Sequence, residues 1–436
     1  MDPRKLPAGR LGRLGRVAWV GARLGASKVL DRKEHTAVAV ADMLGTLRGL
    51  ASKIGQMASY VDGVIPETQD TPWQTALSAL RAAAPSSPPQ EVRKLVQSEL
   101  GGTIESLFEQ FDLTPFASAS IGQVHRARLA DGRDVAVKVQ HAGIAKALES
   151  DLSNAGLLET VVGPIVGRHL HASDLLAEAR VRFREELDYA LEAERMKAFA
   201  RIHAGEPSVV IPGVIDERSS SRVLTTELVP GLGFDDACAA EPDARRQWAE
   251  TMWRFVFRGV LVGGMFNADP HPGNYVFQPG GRVAFLDFGC VQPLSREHQR
   301  MAVQVHVDAA AKDEDAFRRH AVPYLRAHPG KHEELAVAFM RHCFEPIFRV
   351  PFRMTRGYVA GLVRELADSA NEARKLPVGE VPPLPEGILF MNRLQFGFYS
   401  VLARLEVDVD FAAVERGFIE EACRATGLGG VFEAAR

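Results

Sequence analysis

Cysteine is scarce in this chain, and the four present stand far apart. Cys238, Cys290, Cys343 and Cys423 form no C-x-x-C pair. That excludes a disulfide framework and a zinc ribbon and fits thiols in a reducing compartment. Long apolar runs are missing as well: no stretch approaches the roughly 18 residues that span a bilayer. The segment Leu11–Leu30 is broken by Arg and Gly throughout, so it lacks the apolar h-region of about 7–15 residues that a secretory signal needs. Net charge is small, −3 over 436 residues, which gives no global reason to expect nucleic acid as a partner. The chain has no internal repeat and no low-complexity tract. The expected location is the cytoplasm, with any membrane contact peripheral and on the inner face.

What is present suits a two-lobed enzyme. The hydrophobic fraction of 46% and charged fraction of 25% are those of a globular chain with a sizeable core, and the length exceeds one ordinary domain. Charge is uneven along it: residues 1–33 hold nine Lys and Arg against Asp2 and Asp31. Leu11, Leu14, Ala18 and Ala22 recur there at helical spacing, so a basic amphipathic helix on an anionic membrane surface is one reading. Gly9, Gly12, Gly15, Gly21 and Gly25 each cost a helix about 1 kcal/mol relative to Ala, which favours a solvated N-terminus.

The pattern is helical from His35 to Leu80, with a break at Val64-Ile-Pro66. A Pro/Ser stretch at 85–89 precedes a helix from Gln90 to Leu100, closed by Gly101-Gly102. Val124–Leu129 and Asp134–Val139 read as strands around Ala130-Asp-Gly132, a hairpin signal. Helical pattern returns from Gly143 to Ala204. Val209–Asp216 and Arg222–Leu228 read as a second strand pair around Ser219–Ser221. Beyond Gly231 the chain is mostly helical, apart from short strands at Tyr275–Phe277 and Val283–Leu286, and a Pro-rich linker spans Leu376–Pro385. The predicted fold is α+β: a basic segment over 1–33, a helical extension over 34–110, a small antiparallel-sheet lobe over 111–230 and a helical lobe over 231–436.

Four elements in this order can serve phosphoryl transfer, which needs phosphates positioned, a metal held between them and developing charge neutralised. Val135-Ala-Val-Lys138 puts a lysine in an otherwise buried strand, as in the V-A-I-K strand of kinases. Such a lysine needs a carboxylate partner. The helix over Asp174–Ala200 offers several, Glu192 among them, and pattern alone does not choose. Asp269-Pro-His-Pro-Gly-Asn274 has the D-x-x-x-x-N spacing of a catalytic loop, stiffened by two prolines. Asp287-Phe-Gly289, after the apolar Val283–Leu286, is a metal-binding element placed one hairpin downstream.

Two places depart from ordinary kinases. The loop before the lysine strand reads Phe116-Ala-Ser-Ala-Ser120-Ile-Gly-Gln-Val124, alanine-rich where glycine is usual, and so stiffer. The His-Arg before the catalytic aspartate is replaced by Asn267-Ala268. Together with Lys53-Ile-Gly-Gln56 (K-x-G-Q) and Glu186-Leu-Asp188 (E-x-D), these features resemble the AarF/UbiB family of atypical kinases across roughly residues 40–410. Ser118, Asn267 and Gln292 differ from the usual alanine, histidine and glycine of that pattern.

The resemblance implies ATP and magnesium as cofactors and a kinase-like two-lobed fold. It places Glu192 as the partner of Lys138, Asp269 as the catalytic aspartate, and Asn274 and Asp287 on the metal. Ala117, Ser118, Ala119, Ser120, Lys138 and Glu227 are the implied nucleotide contacts. Lys53 and Gln56 are implied to reach over the site, Lys53 near Glu186 and Asp188, covering the groove where a protein substrate would lie. The expected activity is that of an ATPase or a small-molecule or lipid kinase serving isoprenoid-quinone metabolism. A nucleotide-gated scaffold without turnover and a protein kinase are the alternatives. A lipid or quinone-precursor ligand is the partner the resemblance leaves open. Cys290 is expected to be a small buried filler.

Overall fold

The computed structural model describes residues 87–119, 121–146, 181–182, 184–377 and 387–429. Lys53, Gln56 and Ser120, the basic N-terminal segment and most of the Pro-rich linker lie outside the described residues.

The smaller lobe is a sheet backed by two helices. α1 (Pro89–Leu100) starts with proline, whose missing N–H is no loss at a helix start, and ends at Gly101 in the left-handed region with φ 73°. α2 (Ile104–Leu107) is capped by Thr103. The sheet holds β1 (Gln110–Phe111), β2 (Ala117–Ser118), β3 (Gly122–Arg128), β4 (Asp134–Gln140) and β6 (Val223–Glu227), all antiparallel. The β3–β4 hairpin closes at the predicted turn, where Gly132 sits at φ 86°. Along β4, Val135, Val137 and Val139 are wholly buried in one apolar cluster with Val92 and Val96 of α1. A strand's side chains alternate, so Lys138 stands on the opposite face from those valines.

The predicted second strand pair is reduced to one antiparallel bridge, Val214↔Thr226, beside the Gly213 N–H that donates to the Glu227 side chain, and the ladder partner of β6 is β4. β5 (Val209–Val210) instead runs parallel to β9 (Arg282–Phe285) in the other lobe. Pro212 has no N–H to give a ladder, and the chain then turns through a short 3₁₀ segment, Asp216–Arg218.

The helix bearing Glu192 is also shorter than predicted. The chain makes a turn at Glu186 and Leu187, and α3 (Tyr189–Ile202) starts afresh behind Asp188, whose side chain accepts from the N–H groups of Ala190 and Leu191.

The helical lobe is built on α5 (Pro242–Leu261), preceded by α4 (Phe234–Cys238). Next come β7 (Met265–Asn267), β8 (Tyr275–Gln278), β9 and β10 (Val291–Pro293), then α6 (Arg296–Ala310), α7 (Glu314–Leu325), α8 (Lys331–Cys343) and α9 (Glu345–Phe348). β11 (Phe352–Arg353), α10 (Arg356–Ala373), α11 (Ile388–Leu405), β12 (Asp408–Val409), α12 (Phe411–Arg416) and α13 (Ile419–Thr426) complete it. One large core runs through this lobe and includes Tyr189, Met196 and Phe199 of α3. Inside it, Glu415 accepts from Trp253 Nε1 at 3.0 Å and pairs with His306 Nδ1 at 2.8 Å. β7, β10 and the β11–β12 pair were not legible as strands; each is only two or three residues long.

Candidate active site

Two short ladders bring the Asp269–Asn274 and Asp287–Gly289 loops together. β7 pairs with β10, Asn267 opposite Val291, and β8 pairs with β9, Tyr275 opposite Phe285. The 268–274 loop leaves one ladder and enters the other, and the 286–290 loop does the same in reverse. Ala268 N–H donates to the Cys290 carbonyl (2.8 Å) and Leu286 N–H to the Asn274 carbonyl (3.0 Å). The two loops are therefore held side by side by backbone bonds.

Asn267 ties them further. Its Nδ2 donates to the Asp287 carbonyl at 2.6 Å, and its Oδ1 accepts from Asp269 N–H at 3.1 Å. The residue that departs from the family's histidine thus straps the two loops together. Asn274 Nδ2 donates to Asp269 at its carbonyl (3.1 Å) and at Oδ2 (3.3 Å), which leaves Oδ1 as the amide atom able to ligate a cation.

Lys138 reaches the metal loop from above. Its Nζ donates to Glu192 Oε1 and Oε2 at 2.8 and 2.9 Å and to Asp287 Oδ2 at 3.0 Å, and it lies 5.0 Å from the Tyr189 ring centroid. Burial by itself would lower the ammonium pKa, but the Asp287 and Glu192 carboxylates outweigh it and hold it well above its usual value. Glu192 Oε1 also accepts from Phe288 N–H (3.2 Å), and Asp287 Oδ1 from Gly289 N–H (2.9 Å). One turn along α3, Arg195 donates to the Gly289 carbonyl at 3.0 Å. A single helix face therefore grips both the lysine and the metal loop.

The loop before β3 is the one that the resemblance implies as a nucleotide contact. Ala117 and Ser118 are exposed on β2, and Ala119 exchanges backbone bonds with Gly122. A Cβ at Gly122 would stand 2.4 Å from the Val139 carbonyl oxygen and 2.7 Å from Tyr189 Oη, so only glycine fits. Glu227, at the end of β6, accepts from Gly213 N–H at 3.1 Å. Glu186 is buried, its Cγ 3.7 Å from where a Cβ on Gly289 would stand. Asp188 uses its carboxylate to cap α3.

Reasoning from sequence missed Arg195 and Arg393. Arg195 follows Glu192 at helical spacing, a signal that was available. Arg393 lies on α11, 124 residues after Asp269, and it forms an ion pair with Asp269 Oδ1 while its Nη1 lies 3.5 Å from Cys290 Sγ. Its mark in the sequence was a cation in the mostly apolar helix α11, which also carries Arg404 in its last turn.

The residues fit magnesium and a nucleotide. Among the described residues no three His, Cys, Asp or Glu side chains cluster to hold a metal. Magnesium does not need such a cage, since it takes one or two carboxylates along with phosphate oxygens and waters. Asp287 and Asn274 supply oxygen donors of that kind beside Lys138. A separate apolar cavity of about 100 Å³ lies in the helical lobe, lined by residues such as Trp253, Phe257, Met340, Phe344, Met391 and Tyr399. It lacks the paired charges that phosphoryl transfer requires, whereas the loop cleft at Asp269, Asn274 and Asp287 has them.

Comparison with known proteins identifies the family. The profile of the ABC1 atypical kinase-like domain matches residues 79–321. Atypical kinase coq-8, mitochondrial, of Caenorhabditis elegans is 34% identical over 301 residues, covering 67% of this chain and 38% of its own length. Atypical kinase COQ8B, mitochondrial, of Rattus norvegicus is 32% identical over 334 residues, covering 72% of this chain and 62% of its own. The chain thus spans less than two thirds of either relative. Among solved structures, the complex of Rv3197 with erythromycin from Mycobacterium tuberculosis superposes with a TM-score of 0.60 at 26% identity. It covers 91% of this chain and 97% of its own. A profile match over more than half its length, on top of a two-lobed fold with these loops, makes the chain a member of the ABC1 (AarF/UbiB) family of atypical kinases.

Proposed function

We propose that this protein is a magnesium-dependent ATPase or a small-molecule or lipid kinase of the ABC1 type, serving isoprenoid-quinone metabolism. The observation that carries the reading is Lys138 Nζ between Glu192 and Asp287 at 2.8–3.0 Å, with Asp269 and Asn274 bonded to one another beside it. Lys138 is placed to neutralise phosphate charge, and Glu192 fixes it. Asp287 and Asn274 would hold magnesium, which when bound offsets charge on the phosphate oxygens. Asp269 is placed to orient the attacking hydroxyl or water and accept its proton. The quinone pathway rests on the names of the relatives, two of which are mitochondrial COQ8 kinases. No helix among the described residues is long and apolar enough to cross a membrane. The basic 1–33 segment is the proposed contact with an anionic lipid surface.

The test is ATP turnover by the purified chain with magnesium, with and without anionic liposomes, beside Asp269→Asn and Asp287→Asn. The expected result is turnover that D269N loses and that liposomes raise, with magnesium-dependent nucleotide binding lost in D287N. ATP binding without turnover in any condition would replace this reading with a nucleotide-gated scaffold.

A further inference from the structure

Asp269 is held from three sides, and one of the three comes from a distant helix. Its N–H donates to Asn267, its Oδ2 accepts from Asn274, and its Oδ1 pairs with Arg393. The first two partners belong to the catalytic loop and its approach. Arg393 belongs to α11, and its side chain is 11% exposed against 24% for Asp269.

α11 is seated on the loop at more than this point. One turn beyond Arg393, a Cβ on Gly397 would stand 2.6 Å from Pro270 Cγ, so the helix backbone touches the proline that follows Asp269. At the helix start, a Cβ on Gly387 would stand 3.2 Å from Gln292 Cγ, just past the metal loop. The same guanidinium also meets Cys290. α11 therefore spans both loops, and Arg393 is its one charged contact with the reacting region. A guanidinium keeps its charge at any working pH and presents a rigid fork of donors, which suits it to fixing a carboxylate's orientation.

We propose that Arg393 is a positioning residue for phosphoryl transfer, holding the Asp269 carboxylate in its productive orientation without taking part in nucleotide binding. The proposal rests on the ATPase or kinase reading above. With Arg393 gone, Oδ1 loses its partner and the carboxylate can turn about its side-chain bonds, while Lys138, Glu192 and Asp287 keep their mutual contacts. The loss should then fall on kcat.

The experiment compares wild type, Arg393→Met and Arg393→Lys for ATP turnover, ATP affinity and thermal unfolding. R393M is expected to lower kcat on the order of 100-fold, the scale on which misplacing a reacting group acts, with ATP affinity within about threefold of wild type. R393K, a point charge that reaches one partner where the fork reaches two, is expected to restore part of the loss. Should R393M not fold, R393K carries the test, with kcat expected about tenfold below wild type. Unchanged kcat in a folded variant, or an ATP affinity that falls in step with kcat, overturns the positioning role and leaves the ATPase reading intact. A wild type that binds ATP without turnover overturns both.

Discussion

At the residue scale the site is governed by the cost of isolating charge. Glu192 is 2% exposed and Lys138 15%, and Asp287 shares the same ammonium. Removing the lysine leaves two carboxylates facing one another with little solvent to screen them. Breaking a buried pair in this way costs about 3–5 kcal/mol. Lys138→Met should therefore shift the urea unfolding midpoint strongly downward, and Lys138→Met combined with Glu192→Gln should lose less than the two changes added. A coupling of about 1–3 kcal/mol is expected from that double-mutant cycle, and strict additivity would show that the pair is not held as described. Of these contacts, the lysine and the two aspartates could be named from spacing, because strand, loop and hairpin are local. Choosing Glu192 from among its helix's carboxylates needed the E-x-D motif, and that motif's aspartate turns out to start the helix by capping it.

At the scale of elements, α11 on the catalytic loop gives the sharpest conflict of effects. Gly in a helix interior costs about 1 kcal/mol relative to Ala, so Gly397→Ala in an isolated helix would stabilise. Here the new methyl would stand 2.6 Å from Pro270 Cγ, and overpacking of that kind costs typically about 1–3 kcal/mol. The contact should win. G397A is expected to lower the melting temperature and to reduce kcat more than ATP affinity, measured by calorimetry and turnover. A higher melting temperature with normal kcat would mean that the loop yields without consequence. The misread strand pair belongs to this scale too. Val209–Val210 has the composition of a strand wherever it pairs, and its neighbours in the sequence did not reveal that its partner lies in the other lobe.

At the scale of the molecule, the apolar residues form two clusters, and the larger takes in Ile121 and Leu224 of the sheet lobe as well as α3, which has a histidine at its end. His203 packs against the Phe199–Phe255 ring pair, at 6.3 and 5.1 Å between ring centroids, and neither ring nitrogen has a hydrogen-bond partner. Burial, helped by Arg258 and Arg254, lowers its pKa from 6.5 to about 3. A depressed histidine binds its proton in the unfolded chain first. It therefore adds nothing unfavourable above pH 6.5 and weakens the fold progressively as pH falls toward about 3, on the order of 1.4 kcal/mol per pH unit at the steepest. His203→Phe should be near neutral at pH 7.5 and increasingly more stable than wild type from pH 6 to pH 4 in urea titrations. Parallel pH profiles for the two proteins would contradict the burial of a neutral imidazole.

By itself the sequence determined the order of the parts: a sheet lobe before a helical lobe, the lysine strand, the Asp269–Asn274 loop and the metal loop one hairpin later. Those are short-range features, written in alternation, turn residues and fixed spacings. Only the tertiary structure decided where α3 begins, which lobe takes Val209–Val210, that Asn267 straps the two loops, and that an arginine 124 residues downstream meets Asp269. The physical reason is the same in each case. Backbone periodicity is dictated locally, whereas the partner of a buried charge or an unpaired strand is fixed by which surfaces pack together, and no window of sequence contains both sides of such a contact.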